Sequence, residues 1–232
     1  MISDQLQEVR RRVDAAAGRL SPCSTATLIA VSKTFPEAAV REAAAAGQLD
    51  FGENRVQEGL DKASATADLG LTWHLIGHLQ TNKARKAAAT FHWIHSIDSV
   101  SLLQKVDAGA VEAGTTPNLL LQVDLAGEET KFGAPPEALF GIAKAALEMK
   151  AARLRGLMII PPAVDDPNDA RPWFRRLRDV RDRLIADGIP ADALRELSMG
   201  MSHDFEVAIE EGATMVRVGT AIFGGRPPVT TP

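Results

Sequence analysis

Hydrophobic and polar positions along the chain follow two periods, one typical of helices and one typical of strands. Across residues 4–17, apolar side chains recur at every third or fourth position, which predicts an amphipathic helix. Residues 27–31 then form a short apolar, β-prone run, and Pro36 heads an alanine-rich segment that ends near Gly47. The chain therefore opens with a helix and a first strand–helix unit.

The same alternation of strands and helices continues along the sequence. Seven further strands are predicted at residues 50–52, 73–76, 93–97, 119–123, 156–160, 196–199 and 215–218. Such strands pair in parallel through right-handed crossovers, and eight units favour closure into a barrel. We therefore predict an α/β fold, a single (β/α)8 TIM barrel with an additional N-terminal helix. That helix is expected to take the outer position that the short tail 221–232 leaves vacant. A doubly wound open sheet is the alternative.

Composition narrows the class of protein. The 232 residues are 45% hydrophobic and 24% charged, and no linker divides the chain, so residues 1–232 are expected to form one domain. No run approaches the roughly 20 apolar residues of a membrane span, and no secretory signal opens the chain, so a cytoplasmic location is expected. A net charge of −4 argues against nucleic-acid binding. A lone cysteine, Cys23, excludes an internal disulfide and a multi-cysteine zinc site.

Lys33 is the first candidate for chemistry. It follows the first strand, and the two-residue strand period places it on the same side as Ile29 and Val31. If that side faces the barrel interior, desolvation lowers the pKa of the amine and supplies the neutral form that attacks an aldehyde. A lysine solvated at a strand end is the alternative.

Residues after the seventh and eighth strands suggest an anion site. Ser202 is predicted to cap the helix around residues 205–210, and Gly219 and Thr220 follow the eighth strand. Barrel enzymes frequently bind phosphate with these two loops, where glycines permit close approach and hydroxyls donate hydrogen bonds. Each residue alone would also suit an ordinary cap or turn. Their coincidence at adjacent strand ends favours a phosphate site.

Two further polar residues stand at strand positions of interest. Arg217 shares the strand parity of Met215 and Gly219, which would direct its guanidinium into the barrel, toward either a ligand or a structural carboxylate. Asn54 follows the second strand and could touch a ligand or cap the next helix. His74 and His78 are four residues apart, but the strand end and Gly77 between them break helical geometry, so no metal site is expected.

Several long motifs resemble one known family, the pyridoxal phosphate homeostasis proteins, also called the YggS/PROSC family. They are VSKT (31–34), FGENRVQE (51–58), WHLIGHLQTNK (73–83), GLM (156–158), LSMGMS (197–202) and VRVGTAIFG (216–224). The resemblance implies a barrel like the cofactor domain of alanine racemase and pyridoxal 5'-phosphate (PLP) as cofactor, held as a Schiff base on Lys33. It also implies that Ser202, Gly219 and Thr220 contact the phosphate. Arg217 would then lie near the pyridine nitrogen, and Asn54 would line the pocket.

The resemblance further implies a non-catalytic protein of PLP (vitamin B6) and amino-acid homeostasis, with PLP-requiring enzymes as its expected partners. A PLP-dependent amino-acid racemase on the same barrel is the alternative, but the chain lacks tyrosine, which such racemases use as the second proton carrier. A Schiff-base aldolase would also use a lysine and a phosphate site. A monomer is expected. Asp124 departs from the family's usual asparagine and leaves the role of the fifth-strand loop open, whereas Lys131 and Gly133 keep the family's Lys-x-Gly pattern.

Overall fold

A computed structural model describes residues 1–21, 24–127 and 132–225 of the chain. Eight parallel strands close into a barrel in which each strand pairs with its neighbours in sequence and β1 pairs with β8. The strands are β1 (Thr27–Val31), β2 (Asp50–Glu53), β3 (Thr72–Leu75), β4 (Trp93–Ile97), β5 (Asn118–Gln122), β6 (Arg153–Met158), β7 (Glu196–Met201) and β8 (Met215–Val218). The predicted (β/α)8 barrel is confirmed, and the open-sheet alternative is wrong because β1 and β8 are hydrogen-bonded.

Helices surround the barrel in the described part of the chain. They are α1 (Ile2–Leu20), α2 (Glu37–Ala45), α3 (Val56–Ala65), α4 (Ala84–Thr90), α5 (Val100–Ala113), α6 (Pro136–Leu147), α7 (Arg171–Ala186), α8 (Phe205–Glu210) and α9 (Thr220–Phe223). The N-terminal helix is longer at both ends than the predicted residues 4–17. It packs against α2, α8 and the single turn of α9, so it fills the outer position after β8 as expected.

Strand boundaries differ from the predictions mainly in β6 and β7. β6 begins at Arg153, three residues before the predicted apolar run. Its first residues alternate exposed arginines, Arg153 and Arg155, with buried residues, so they do not form a continuous apolar run. β7 continues to Met201, and its register with β8 shifts between Ser198 and Met201. Gly200 lies within this irregular stretch and has a φ of 91°, a conformation that glycine adopts without strain.

The barrel interior is filled by alternate residues of the strands. Ile29, Leu120, Met158 and Met215 form a buried apolar cluster there, with Trp93 packed against it. The helices cover the outer face through a larger core that extends around the barrel. At Gly156, a Cβ would lie 1.8 Å from the carbonyl oxygen of Glu196, so only glycine lets β6 approach β7 this closely.

Some predictions fall on residues outside the described ranges. These are Cys23, Lys131 and the end of the tail, residues 226–232. Within the residues that are described, no helix is long and apolar enough to cross a membrane.

Candidate functional site

A cavity of about 410 Å³ opens at the carboxyl ends of the barrel strands. All six residues that the sequence singled out line it: Lys33, Asn54, Ser202, Arg217, Gly219 and Thr220. Sequence reasoning missed its other lining residues, which are Val31, Phe35, Ile76, Ile160, Met201 and His203. The cavity lies on the face that carries function in barrels of this kind, and its size is within the range of small-molecule sites.

Lys33 stands in the turn between β1 and α2, where its side chain is partly buried and lines the cavity. The residue after it, Thr34, has a φ of 69°, in the left-handed region that β-branched residues rarely adopt. The Thr34 amide donates to Glu58 Oε1 at 2.6 Å, and the Phe35 amide donates to the Ser32 carbonyl at 3.0 Å. These bonds hold the turn in a conformation that would otherwise be strained.

A buried ionic network lies beneath this turn and was not predicted from the sequence. Lys62 Nζ donates to Glu53 Oε1 at 2.6 Å, to Glu58 Oε1 at 2.8 Å and to the Ser32 carbonyl at 2.7 Å. Ser32 Oγ also donates to Glu53 Oε1, at 2.7 Å. One lysine from α3 thereby connects the end of β2 to the loop that carries Lys33.

The two carboxylates of this network differ in their surroundings. Burial raises the pKa of Glu53 despite the bonds from Lys62 and Ser32, and within the described residues its Oε2 atom has no hydrogen-bond partner. Burial also acts to raise the pKa of Glu58, but bonds from Lys62 and the Thr34 amide outweigh it, and the pKa is lowered. Glu53 is therefore the carboxylate that depends most on Lys62 for compensation of its charge.

Ser202 does not cap the helix that follows it, so this prediction is wrong. α8 begins at Phe205 with Asp204 as its N-cap residue, and Asp204 Oδ1 accepts from the Met201 amide at 2.6 Å. Ser202 Oγ instead accepts from the Gly219 amide at 3.1 Å. The bond ties the loop after β7 to the loop after β8, and Ser202 stands two residues before the N-cap residue, too early in the chain to cap the helix itself.

Gly219 lies where two strands come close together. A Cβ at this position would be 3.3 Å from the Val31 carbonyl oxygen and 3.4 Å from Val31 Cβ. Thr220 follows as an exposed residue at the start of α9. The two residues together form the part of the rim that faces Ser202, in the position where barrels of this class bind phosphate.

Arg217 extends into the barrel interior, as its strand parity predicted. It is 4% exposed and donates to Ser198 Oγ at 2.6 Å and to the Ile159 carbonyl at 2.8 Å. Within residues 1–21, 24–127 and 132–225 this guanidinium forms no salt bridge, although the charge of Asp204 acts to raise its pKa. Burial lowers the pKa of Arg217 to about 10, so the side chain is still a cation at neutral pH.

Asn54 lines the cavity, whereas Asp124 stabilises a turn. The N-cap residue of α3 is Arg55, so Asn54 does not cap the helix and instead lines the cavity. Asp124 Oδ1 accepts from the amides of Ala126 at 3.1 Å and Gly127 at 2.9 Å, which is the pattern of a side chain that stabilises its own turn. The departure at Asp124 thus falls in a loop, and Asp124 is not among the described residues that line the cavity.

Three polar residues inside the barrel were not predicted as a group: His74, His95 and Ser198. All three are fully buried, and His95 is hydrogen-bonded to both His74 and Ser198. Strand parity was the signal that could have found them, since each falls on an inward-facing position of its strand. The described residues contain no cluster of three or more His, Cys, Asp or Glu side chains suited to a metal ion.

Comparison with known protein families identifies the class. The family model described as "Alanine racemase, N-terminal domain" matches residues 5–227. An alanine racemase from Clostridium difficile 630 superimposes with a TM-score of 0.72 at 16% identity, and the alignment covers 97% of this chain and 58% of the racemase chain. At that identity the racemase shows the shared fold alone.

Closer relatives narrow the family. The pyridoxal phosphate homeostasis protein of Aquifex aeolicus (strain VF5) is 45% identical, over 96% of this chain and 97% of the relative. That of Escherichia coli (strain K12) is 41% identical, over 97% of each chain. PipY of Synechococcus elongatus PCC7942, solved with PLP bound, is 42% identical with a TM-score of 0.86, over 97% of this chain and 100% of PipY. The chain therefore belongs to the pyridoxal phosphate homeostasis protein family.

Proposed function

We propose that this chain is a pyridoxal phosphate homeostasis protein that binds PLP in the cavity at the carboxyl end of the barrel and does not turn over substrates. One observation carries the proposal. A single cavity brings together a lysine amine, a buried guanidinium, and the hydroxyl-bearing and glycine residues of two adjacent loops. The named relatives and the PLP-bound PipY structure support the choice of ligand. We further propose that residues 1–232 act as one domain.

The residues of the cavity fit the three chemical parts of PLP. When bound, PLP supplies an aldehyde that condenses with an amine, and one water molecule is lost as the imine forms. Lys33 lines the cavity from the end of β1 and would supply that amine. Arg217 lies at the floor, where it would face the pyridine nitrogen as a hydrogen-bond donor. Asn54 would contact the ring from the end of β2.

Ser202 is suited to the phosphate because its oxygen already accepts one hydrogen bond, which leaves its hydroxyl proton to be donated. The Gly219 amide donates to Ser202 Oγ, so the hydroxyl proton is directed elsewhere and can be given to an anion. Thr220 offers a second hydroxyl on the same rim, and Gly219, which has no side chain, lines the cavity beside it. We assign the phosphate group to this corner of the cavity.

A non-catalytic role follows from what the chain offers for proton transfer. The sequence contains no tyrosine, so the second proton carrier of the racemases is absent. A cation beside the pyridine nitrogen also opposes protonation of the ring, but the racemases that the chain resembles use arginine there too, so the missing tyrosine is the stronger argument. The homologues are named as homeostasis proteins rather than as racemases or aldolases. We also propose a cytoplasmic, monomeric protein that exchanges PLP with PLP-requiring enzymes.

Reduction with borohydride tests the PLP assignment. We expect the protein loaded with PLP to show visible imine absorption, which borohydride abolishes while it fixes the cofactor to the Lys33 peptide. Lys33→Ala should lack both signals. Lys83→Ala is the matched control, because Lys83 stands at the same end of the barrel but lines a separate groove, with Arg55, His78 and Gln80. Modification of another lysine, or no modification, would overturn the assignment.

Turnover measurements test the non-enzyme assignment. We expect negligible D- and L-alanine interconversion and amino transfer by PLP-saturated protein, with Lys33→Ala as the background. Lys33-dependent turnover of roughly 1 per second or faster would be that of an ordinary enzyme and would favour the racemase alternative. A colourless protein that gains an imine only with a carbonyl substrate would favour the aldolase.

A further inference from the structure

A chain of five hydrogen-bonded side chains crosses the barrel interior, from the amino end of β2 to the floor of the cavity. Asp50 Oδ1 lies 3.0 Å from His74 Nε2, and His74 Nδ1 lies 3.0 Å from His95 Nε2. His95 Nδ1 lies 2.9 Å from Ser198 Oγ, which accepts from Arg217 at 2.6 Å. Asp50 is 30% exposed at one end, whereas the two histidines and Ser198 are fully buried.

Donor and acceptor roles can be assigned from the Arg217 end of this chain. A guanidinium only donates, so Ser198 Oγ is an acceptor toward Arg217. Within the described residues the other partner of Ser198 is His95, so the hydroxyl proton goes to His95 Nδ1. A neutral His95 then carries its proton on Nε2 and donates it to His74 Nδ1.

The assignment from the Asp50 end gives the same result. A carboxylate only accepts, so His74 Nε2 carries a proton and donates it to Asp50. His74 Nδ1 is then the acceptor that His95 requires. In this arrangement a second proton on His74 Nδ1 would face the proton on His95 Nε2, and a second proton on His95 Nδ1 would leave the Ser198 hydroxyl proton without an acceptor among the described residues. The arrangement that satisfies every polar atom therefore has two neutral imidazoles, both protonated on Nε2.

The surroundings favour these neutral forms. Burial lowers the pKa of His74, and burial together with the neighbouring His74 and Arg217 lowers the pKa of His95 well below its usual range. Trp93 covers one side of His74, with the two rings nearly parallel and their centroids 5.9 Å apart. The charged or titratable groups that act on the pair are Asp50 at one end, Arg217 at the other, and His92 near His74.

We propose that Asp50, His74, His95 and Ser198 form a positioning relay that orients the Arg217 guanidinium as a hydrogen-bond donor at the cavity floor and extends its charge toward the Asp50 carboxylate. The function of the relay toward the pyridine nitrogen rests on the proposed binding of PLP. The relay explains how a buried cation persists without a salt bridge among the described residues, since every dipole along the chain is aligned from Arg217 toward Asp50. The charge of Asp204 also acts on Arg217, but no hydrogen bond joins the two side chains in the described part of the chain. The two histidines are positioning residues, because neither lines the cavity.

The first test uses the protein without cofactor and needs no variant. Long-range proton–nitrogen NMR of protein labelled in its histidine rings reports the protonated nitrogen of each imidazole. We expect His74 and His95 both to be Nε2-protonated and neutral from pH 6 to 8. A proton on Nδ1 of either ring, or titration of His95 in this range, would overturn the relay.

The second test breaks the relay at Ser198 and measures PLP affinity and the absorption maximum of the imine. Ser198→Ala removes the acceptor of Arg217 and the donor to His95, so we expect at least tenfold weaker PLP binding, a shifted maximum and loss of the fixed His95 tautomer. Ser198→Thr retains the hydroxyl and should restore all three. Glu196→Gln is the matched control, because Glu196 begins β7 and accepts from Thr214 rather than from the relay.

The outcomes separate the relay from the proposed function. If Ser198→Ala is folded and binds PLP with wild-type affinity and spectrum, the positioning role is overturned. If Ser198→Ala does not fold, the wild-type tautomers and the Ser198→Thr variant still decide the question. If wild-type protein forms no imine with PLP, the proposed function fails while the histidine tautomers test the relay by themselves.

Discussion

Replacement of Lys62 by methionine tests whether the buried network beneath the Lys33 turn is held together by charge. Methionine keeps most of the aliphatic volume but removes the three hydrogen bonds that Lys62 Nζ donates. Glu53, whose side chain is fully buried, would then lose its positive partner, whereas Glu58 is 25% exposed and stays solvated. Removal of one member of a buried ion pair costs about 3–5 kcal/mol of unfolding free energy.

The loss in Lys62→Met should depend on pH in a definite direction. Burial already raises the pKa of Glu53, and without Lys62 this pKa should rise further. A carboxyl whose folded pKa exceeds its unfolded value of about 4.3 binds a proton more readily in the folded protein. The unfolding free energy of the variant is therefore highest below the unfolded pKa of Glu53. It falls by at most about 1.4 kcal/mol per pH unit as the pH rises toward the folded pKa. We expect the variant to be clearly less destabilised at pH 5 than at pH 8.

Urea unfolding at both pH values, followed by tryptophan fluorescence, measures this difference. The double variant Glu53→Gln/Lys62→Met removes the buried carboxylate and should lose most of the pH dependence. Lys83→Met is the control, because Lys83 is an exposed lysine at the same end of the barrel, and its effect should stay within about 0.5 kcal/mol. Equal losses at pH 5 and pH 8, or a double variant with the same slope as Lys62→Met, would refute the electrostatic reasoning.

Three further predictions address the cavity, the barrel and a buried carboxylate. Ser202→Ala should weaken the binding of PLP by roughly 1–3 kcal/mol and the binding of unphosphorylated pyridoxal much less, as measured by fluorescence titration. Equal losses for the two ligands would contradict a phosphate contact. Gly156→Ala should destabilise the barrel by more than about 3 kcal/mol in thermal unfolding, since its Cβ would meet the Glu196 carbonyl. Gly141 is exposed in α6 with open space around it, so Gly141→Ala should instead stabilise the protein by up to about 1 kcal/mol. Asp107→Asn should cost roughly 1–3 kcal/mol at pH 7, because burial acts to raise the Asp107 pKa but three backbone amides outweigh it and lower the pKa. This contribution is present above the unfolded pKa of about 3.9 and is lost as pH falls through the folded value, so an unchanged difference at pH 2 would contradict it.

The order of the elements and the end of the barrel at which the site lies could both be predicted from the amino-acid sequence. Period-two apolar runs separated by helical segments indicated eight strands, and residues that follow parallel strands must gather at one end of the sheet. That topological rule is why Lys33, Asn54, Arg217 and Thr220, which are far apart in the chain, could be placed in one cavity. Strand parity also predicted that Arg217 points inward.

Tertiary structure decided which partners those residues meet. Ser202 accepts a hydrogen bond from the Gly219 amide, and a contact between two separate loops leaves no trace in apolar periodicity. The bond between Glu53 and Lys62 joins a strand to the helix after it, and the bond between His95 and Ser198 spans 103 positions of sequence. Hydrogen bonds of this kind are fixed by distance and angle once the barrel has closed, whereas the sequence pattern records only which side of a strand each residue faces.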